Sequence, residues 1–287
     1  MQNGSDDYDF FVDTPGKNVF DGGDGPDAVT YSSRVSPVHL TLSGSEDSTV
    51  FIGNVAEDTL RNIEDVIGGS GDDALTGGNT DNVLWGMGGD DHLYGKDGQD
   101  ILDGGDGRDY LDGGEGADWA LYKYRFVPIH ITLSGSEDSI VYVDGVAEDT
   151  IRNIECLQGG FEDDILVGDD QDNVLMGEMG RDLVAGRGGA DVFTYEGVLD
   201  RGDIIQDFST DEGDKIAFFD FLLYVQDDRK LSFTGTDPAP YTIWYEAAEN
   251  GHSIVVKADT NGESEAEEFW VTLNGVTSLS ADDFILG

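Results

Sequence analysis

Acidic side chains recur at every ninth residue between residues 68 and 121, and their spacing predicts a chemistry of hard cations. The stretch divides without a gap into six nonapeptides: GGSGDDALT, GGNTDNVLW, GMGGDDHLY, GKDGQDILD, GGDGRDYLD and GGEGADWAL. Each begins with glycine, and the sixth place holds Asp73, Asn82, Asp91, Asp100, Asp109 and Asp118. Glycine permits the positive-φ backbone of a tight turn that exposes carbonyl oxygens. A carboxylate beside such a turn adds to an oxygen cluster suited to Ca²⁺, which takes about six to eight oxygen ligands.

The end of each nonapeptide predicts the strands that position these turns. The last three residues alternate, so the eighth side chain points to one face and its two neighbours to the other. Five of the six nonapeptides have leucine at the eighth place, namely Leu75, Leu84, Leu93, Leu102 and Leu111. This pattern predicts a solenoid whose repeats stack on their neighbours around a leucine column. The alternative is a disordered Gly/Asp-rich linker, which the constant phase and the leucine column disfavour.

The same phase appears in two other parts of the chain. Three N-terminal nonapeptides, of which the second (DTPGKNVFD) is degenerate, place Asp9, Asn18 and Asp27 in the sixth position. A second array places Asp164, Asn173, Asp182 and Asp191 there. Further acidic residues lie among apolar pairs in GDIIQDFSTDEGDKIAF, namely Asp203, Asp207 and Asp214. Apart from Asn18, all these residues are candidate calcium ligands, together with the sixth-place residues of the first array.

The chain is also a tandem duplication. Residues 38–67 and 129–158 are identical at 19 of 30 positions at an offset of 91. Both segments contain alternating apolar strands and interrupt the nonapeptides, so we expect inserted β-hairpins. The first unit (1–112) is predicted to comprise nonapeptides 4–30, an insert at 31–67 and nonapeptides 68–112. The second (113–199) is predicted to comprise nonapeptide 113–121, an insert at 122–158 and nonapeptides 159–194, and residues 200–287 to form a C-terminal β cap.

The nonapeptides resemble the GGxGxDxUx repeat of the RTX (repeats-in-toxin) family, in which U is a large apolar residue. The resemblance implies an all-β fold, a parallel β-roll in which two nonapeptides form one coil. It also implies that Ca²⁺ ions lie between turns eighteen residues apart. Carried onto this chain, the bridged pairs would be Asp73 with Asp91, Asn82 with Asp100, Asp91 with Asp109, Asp100 with Asp118, Asp164 with Asp182, and Asn173 with Asp191.

The C-terminal region resembles the target segment of type I secreted proteins, such as serralysin-like proteases. The matching motifs are DxIxDF…DKI and the terminal DDFIL. The resemblance implies a transient partner, a type I secretion exporter, and a secreted, extracellular protein. The N-terminus, MQNGSDDYDFF, fits this route because it lacks the basic region and apolar core of a cleavable signal peptide. A plain β cap on the solenoid is the alternative, and both roles are compatible. We expect the chain to be part of a larger protein.

Composition and missing motifs exclude several classes of function. The formal net charge is −46, which makes nucleic acid and anionic membranes poor partners. No apolar run approaches the about 20 residues of a membrane span. The four histidines are dispersed without an HExxH motif, and neither GxSxG nor GxxxxGK[ST] occurs. We therefore predict no catalytic residues and no enzymatic activity. The single cysteine, Cys156, lies in an apolar run and reads as a structural thiol.

Two function classes remain. The first is a calcium-dependent folding and export module that binds several Ca²⁺ ions. The second is an extracellular polysaccharide- or surface-binding module, as the resemblance to repeat modules of mannuronan C-5-epimerases and secreted adhesins allows. Tyr94, Tyr110 and His92 are the possible ligand contacts in this second class, because aromatic faces stack on sugars. Packing of these rings against an insert is the alternative.

Overall fold

The computed structural model of the protein describes residues 2–5, 7–219, 231–260, 262 and 269–286. Within these ranges the regular structure consists of strands and one 3-10 turn at Ala281–Asp283. No helix there has the length and apolar character needed to cross a bilayer. The predicted C-terminal region, 200–287, includes residues 220–230 and 263–268, which lie outside the described part.

Most strands of the nonapeptide arrays are three residues long, and the inserts contain strands of four to seven residues. Up to the first array they are β1 (Gln2–Asn3), β2 (Phe10–Val12), β3 (Val19–Asp21), β4 (Ala28–Thr30), β5 (Val38–Thr41), β6 (Ser48–Ile52), β7 (Val55–Arg61) and β8 (Asp65–Ile67). The first array and second insert contain β9 (Ala74–Thr76), β10 (Val83–Trp85), β11 (His92–Asp97), β12 (Ile101–Asp103), β13 (Tyr110–Glu115), β14 (Trp119–Leu121), β15 (Ile129–Thr132), β16 (Ser139–Val143) and β17 (Val146–Arg152). The remainder are β18 (Cys156–Gln158), β19 (Ile165–Val167), β20 (Val174–Met176), β21 (Leu183–Ala185), β22 (Val192–Tyr195), β23 (Ile204–Ile205), β24 (Lys215–Phe218), β25 (Ser232–Phe233), β26 (Thr242–Ala247), β27 (Ser253–Ala258), β28 (Phe269–Asn274) and β29 (Phe284–Leu286).

The chain divides into two compact units that do not follow the repeat boundaries. The first consists of Met1–Leu121, Ser134–Val141 and Ala147–Cys156, and the second of Tyr122–Leu133, Tyr142–Val146 and Leu157–Gly287. The division at residues 112 and 199 follows the sequence repeat and stays a prediction.

In the first unit, successive nonapeptide strands alternate between two parallel sheets. One sheet contains β2, β4, β8, β10, β12 and β14 in that order. In the other, β9, β11 and β13 are neighbours. Within the first array each strand therefore pairs with the strand eighteen residues away, which is the coil of two nonapeptides that the RTX resemblance implied. The predicted all-β, parallel β-roll fold is confirmed.

The core of this roll is the predicted leucine column. Leu75 pairs in register with Leu93, which pairs with Leu111, and Leu84 pairs with Leu102 on the opposite sheet. All five leucines are at most 1% exposed. Burial of each such side chain contributes about 1.5–3 kcal/mol. Because a nonapeptide buries one large side chain, apolar packing per coil is modest.

The first insert is a three-stranded meander that lies within the second sheet of the roll. β7 is parallel to β3, β6 is antiparallel to both β7 and β5, and β5 is parallel to β9. On the opposite sheet β4 pairs directly with β8. The inserted hairpins are therefore confirmed, and they extend the hydrogen-bonded sheet between two coils.

The second unit contains the second array and the C-terminal strands. In one sheet β15, β19, β21, β23 and β28 are successive parallel neighbours, and β28, β27 and β26 continue as antiparallel strands. In the other, β20, β22, β24 and β29 are parallel. The C-terminal region thus continues both sheets, with six-residue strands in β26, β27 and β28.

Candidate calcium-binding turns

The sixth-place side chains lie buried in the turns that precede the array strands. In the first array they are at most 3% exposed. One oxygen of each of the last four carboxylates accepts a hydrogen bond from the backbone N–H of the sixth-place residue eighteen positions earlier, whereas Asp73 accepts that of Val38. The donor–acceptor distances are 2.7 Å from Asp73 to Asp91, and 2.8 Å from Asn82 to Asp100, from Asp91 to Asp109 and from Asp100 to Asp118. The structure thus brings together the residues of all four pairs, and their role as ligands stays a prediction.

The second carboxylate oxygen in several of these turns faces a different environment. Among the described residues, buried Oδ2 atoms that accept no hydrogen bond include those of Asp27, Asp91, Asp100, Asp118, Asp182 and Asp203, and in the first insert that of Asp58. A buried charged oxygen without a partner is strongly unfavourable unless a counter-charge is present. These oxygens are therefore available to a cation.

The first-place glycines leave open the space beside these oxygens. A Cβ at Gly86 would overlap Oδ2 of Asp91 and lie 2.6 Å from the carbonyl oxygen of Gly104. At Gly95 the same atom would overlap Oδ2 of Asp100 and the carbonyl oxygen of Gly113. A carboxylate oxygen and a carbonyl oxygen from a turn eighteen residues away thus border one small space. This donor set fits Ca²⁺, which prefers oxygen ligands.

The backbone of these turns adopts positive φ angles and approaches the neighbouring turn closely. In the turn that starts at Gly86, Met87 has φ +78° and Gly89 has φ +118°. A Cβ at Gly89 would come within 2.7 Å of the carbonyl oxygen of Gly71, in the turn eighteen residues earlier. Only glycine tolerates that approach and adopts that conformation without strain. The non-glycine Met87 in the left-handed region carries strain, which is common at ligand-binding turns.

Burial also shifts the protonation of the sixth-place carboxyls. It raises the pKa of Asp91 and of Asp100 to about 7. Burial, with the adjacent carboxylate of Asp203, raises the pKa of Asp182 to about 9. Desolvation disfavours the charged form, and nearby like charges add to the effect. Without a cation these groups therefore keep their protons to a higher pH than a free aspartate does.

A metal centre of another kind is not built by these residues. Within the described ranges, no group of three or more His, Cys, Asp or Glu side chains is placed to hold a metal. Each turn instead combines few carboxylates with backbone carbonyls, which suits a hard cation better than zinc.

The second array repeats the hydrogen-bonding pattern and extends it past the last nonapeptide. Asp164 and Asn173 donate their N–H groups to Asp182 and Asp191, at 2.8 and 2.9 Å. Asp182 and Asp191 in turn donate to Asp203 and Asp214, at 2.9 and 3.0 Å, although these residues lie 21 and 23 positions later. The structure places Asp203 and Asp214 in sixth-place positions despite the longer spacing.

Asp207 lies in a different position from these two residues. Its two oxygens accept the N–H groups of Gly186 and Arg187, both at 3.0 Å. At the N-terminus, Asp9 donates its N–H to Asp27 at 2.8 Å, and Asp9 is only partly buried. Asp207 thus caps a turn with both oxygens, while Asp9 and Asp27 follow the array pattern.

Sequence reasoning missed four acidic residues of the inserts as site residues. Asp58 and Asp149 accept the N–H groups of Asn18 and Asp109, at 2.7 and 2.9 Å. Glu64 and Glu155 accept those of Asp27 and Asp118, both at 3.0 Å. They occupy the sixth-place role where the insert interrupts the nonapeptides. Their recurrence at an offset of 91, within VAEDT and RNIE, was the signal that could have found them.

The predicted aromatic contacts form a cluster on the outward face of the first unit. His92, Tyr94 and Tyr110 have ring centroids 5.8 to 6.5 Å apart. His92 is exposed and the two tyrosines are half-buried. The structure therefore brings the three residues together on β11 and β13.

Comparison with known proteins identifies the repeat. The model of the RTX calcium-binding nonapeptide repeat matches residues 67–102, 85–120 and 158–193. No curated protein sequence matches the chain significantly.

Three solved structures illustrate the range of similar proteins. The extracellular lipase LipA from Serratia marcescens is 18% identical, with a TM-score of 0.28, and the match covers 76% of this chain and 40% of the lipase. The AlgE6R3 subunit of the Azotobacter vinelandii mannuronan C5-epimerase is 21% identical, with a TM-score of 0.22 and coverage of 76% and 80%. The AlgE6R2 subunit of the same epimerase is also 21% identical, with a TM-score of 0.18 and coverage of 72% and 88%. This chain thus spans less than half of the lipase.

The arrays, their coil of eighteen residues and the matched repeat model agree with one another. The RTX repeat is a structural calcium-binding element. The two arrays of this chain are RTX calcium-binding nonapeptide repeats.

Proposed function

We propose that this chain is a calcium-dependent folding and export module of a secreted protein, and that it forms part of a larger chain. The observation that supports this most directly is the set of buried Oδ2 atoms without hydrogen bonds in successive turns. In a chain with a formal net charge of −46, these carboxylates repel one another until cations neutralise them. Folding and calcium binding are therefore coupled.

In this proposal the ligands are the sixth-place residues of the arrays, Asp9 and Asp27 at the N-terminus, and the acidic residues after the second array. Affinities in the range typical of extracellular modules, about 10⁻⁴–10⁻³ M, would leave the turns without calcium in the cytosol. The chain would then remain unfolded until a type I secretion exporter, which reads the C-terminal segment, has released it outside the cell. Binding of several Ca²⁺ ions would complete the roll there.

Calcium titration of β structure tests the folding half of the proposal. We expect the circular dichroism spectrum of chelator-treated protein to show little β structure and to gain it cooperatively as calcium is added. An Asp100→Asn variant should need more calcium. Asp97→Asn removes the same charge from an exposed position of the same nonapeptide and is the matched control. A spectrum that does not respond to calcium contradicts the proposal.

Export through a type I system tests the other half. A variant that lacks residues 280–287 should remain in the cell, whereas a variant that lacks residues 1–8 should be exported. Purified samples of both should still bind calcium, so that an export defect is separated from a folding defect. If the variant that lacks residues 280–287 is exported normally, the export role is contradicted. The proposed calcium binding is not affected by that result.

A second candidate function is binding of an extracellular polysaccharide, and the aromatic cluster favours it. Three neighbouring rings on an outward sheet face offer a stacking surface for sugar rings. Retardation in alginate gels with calcium should decrease in Tyr94→Ala and Tyr110→Ala variants. Tyr142→Ala, at an exposed tyrosine that pairs with His130 in the second unit, is the control. Equal mobility of all variants contradicts this function.

A further inference from the structure

The degenerate turn at residues 13–18 corresponds, 91 residues later, to a turn with a full calcium consensus. Its sequence is DTPGKN, and its counterpart at an offset of 91, residues 104–109, is GGDGRD. Asp13 replaces the first glycine and Asn18 replaces the sixth-place aspartate. The space that first-place glycine leaves open in other turns therefore receives a side chain here.

The amide group of Asn18 lies among the oxygens of this turn. Its Nδ2 donates to the carbonyl oxygens of Thr14 at 2.6 Å and Gly16 at 2.9 Å. The same atom lies 3.1 Å from Oδ1 of Asp13 and 3.2 Å from Oδ1 of Asp58. Oδ1 of Asn18 accepts the Thr14 hydroxyl at 3.1 Å, which fixes the orientation of the amide. Two carbonyls and two carboxylates thus converge on an NH₂ group, and they are the donor types that Ca²⁺ takes.

Arg34 supplies the positive charge. Its Nε lies 2.5 Å from Oδ2 of Asp13, and its Nη2 lies 2.5 Å from Oε1 of Glu57 and 3.5 Å from the carbonyl oxygen of Thr14. The Asp13 side chain is fully buried, and the Arg34 and Glu57 side chains are 14% and 17% exposed. Glu57 also accepts the N–H of Gly16 at 2.8 Å. A guanidinium presents several donors in a fixed plane, so one arginine reaches both carboxylates and the turn.

This arrangement does not fit a calcium ion. The two carbonyl oxygens, both oxygens of Asp13 and Oδ1 of Asp58 already accept hydrogen bonds from Asn18 or Arg34. Oδ2 of Asp58 remains without a hydrogen-bond partner, and Arg34 balances part of the carboxylate charge. We propose that turn 13–18 takes no calcium and that the Asn18 amide and the Arg34 guanidinium together replace the ion. The coil that contains β3 is then held by the chain itself, at calcium concentrations too low to load the array turns. This inference does not depend on the proposed export role.

A crystal structure of the unmodified chain in saturating calcium tests the proposal directly. Anomalous scattering should reveal calcium in the array turns and none between the carbonyl oxygens of Thr14 and Gly16. The Asn18 amide should occupy that space. A calcium peak coordinated by these two carbonyls overturns the proposal.

Counting bound calcium by native mass spectrometry tests it in solution. Asp58→Asn should keep the full number of ions bound to the unmodified chain. Asp149→Asn, the counterpart at an offset of 91, should lose one ion, because it removes a carboxylate beside the consensus turn at residues 104–109. If Asp58→Asn binds fewer calcium ions than the unmodified chain, the proposal is overturned.

Substitutions of Arg34 test the internal cation itself. Arg34→Leu leaves the carboxylates of Asp13 and Glu57 without their partner and should lower the melting temperature both in calcium and in chelator. Arg34→Lys should recover part of the loss, because an ammonium group reaches fewer acceptors. A melting temperature of Arg34→Leu that is unchanged in both conditions contradicts the role of Arg34.

Discussion

The first array forms parallel sheets, whereas β26 to β28 of the C-terminal region are antiparallel, and the two regions have different interiors. In the array, the strands β9 to β13 bury one leucine each, and buried carboxylates lie in the turns. In the C-terminal part of the second unit, β26 to β28 are six residues long and the core is aromatic. There Phe269 packs on Tyr195 at 4.9 Å and on Phe218 at 5.2 Å between ring centroids, and Phe233 packs on Phe284 at 4.8 Å.

The difference concerns what holds each region together. A coil of two nonapeptides buries little apolar area and contains unbalanced charge, so we expect its stability to depend on a bound cation. The aromatic core buries large rings, which contribute to stability at any calcium concentration. We therefore expect the two regions to differ most when calcium is removed.

Calcium removal should produce the largest difference between the two regions. Amide hydrogens of β10 to β13 should lose nearly all protection from hydrogen exchange in chelator, whereas those of β27 and β28 should keep measurable protection. Exchange followed by mass spectrometry in calcium and in chelator measures both regions at once. Equal loss of protection in the two regions would show that the aromatic core also depends on calcium.

Truncation of the aromatic core should destabilise the C-terminal region and leave the calcium dependence of the array nearly unchanged. Phe269→Ala removes a fully buried ring and should destabilise the calcium-loaded protein by about 3–5 kcal/mol. The concentration of calcium needed to order the array should change little. Denaturant unfolding in saturating calcium gives the stability, and calcium titration of the array amides gives the midpoint. A large shift of the array midpoint contradicts the separation of the two regions.

Filling a turn should have a smaller, local effect. In Gly86→Ala the new Cβ meets Oδ2 of Asp91 and the carbonyl oxygen of Gly104, and overpacking of this kind costs about 1–3 kcal/mol. The loss should be confined to the calcium-loaded state of the array. Gly197→Ala is the control, because a Cβ there meets no atom within 4 Å. Similar losses in the two variants would argue against a cation space beside Gly86.

The smallest effect is a pH dependence of the metal-free array. Because Asp91 and Asp100 have pKa values raised to about 7 in the fold, against about 4 in an unfolded chain, the folded state binds more protons between these values. Stability of metal-stripped protein should therefore fall as pH rises from about 4 to about 7. Calcium binding displaces these protons, so calcium affinity should increase over the same range. Thermal melts of metal-stripped protein and calcium titrations across this range measure both trends, and a rise in metal-free stability with pH contradicts the assignment.

The nonapeptide arrays were predictable because residues within each nonapeptide determine its turn and its strand. Glycine at the first place, aspartate at the sixth and leucine at the eighth act over a few residues, and stacking repeats them at eighteen-residue steps. Asp91 and Leu93 were therefore assigned correctly to the turn and to the core from spacing alone. The hydrogen bond between the Asp73 N–H and Asp91 follows from the same register.

The contacts of the inserts were not predictable in this way. The hydrogen bond between Asp58 and Asn18 joins residues 40 positions apart, and the one between Glu64 and Asp27 joins residues 37 positions apart. Neither separation is a multiple of the eighteen-residue coil. They arise because the meander of β5, β6 and β7 pairs with β3 on one side and with β9 on the other. Long-range pairing of this kind depends on the folded sheet and not on local propensity.

The sequence by itself therefore determined the solenoid, its leucine core and the phase of its acidic residues, and the resemblance to the RTX repeat implied the roll and its eighteen-residue coil. Only the tertiary structure decided which of these turns contain open oxygens and which are filled. Asn18 occupies a sixth place like any other, and its turn differs because Arg34, sixteen residues later, folds back onto Asp13. The physical reason is that the nonapeptide repeat determines which atoms line a turn. A side chain distant in sequence, such as that of Arg34, determines what balances the charge of those atoms.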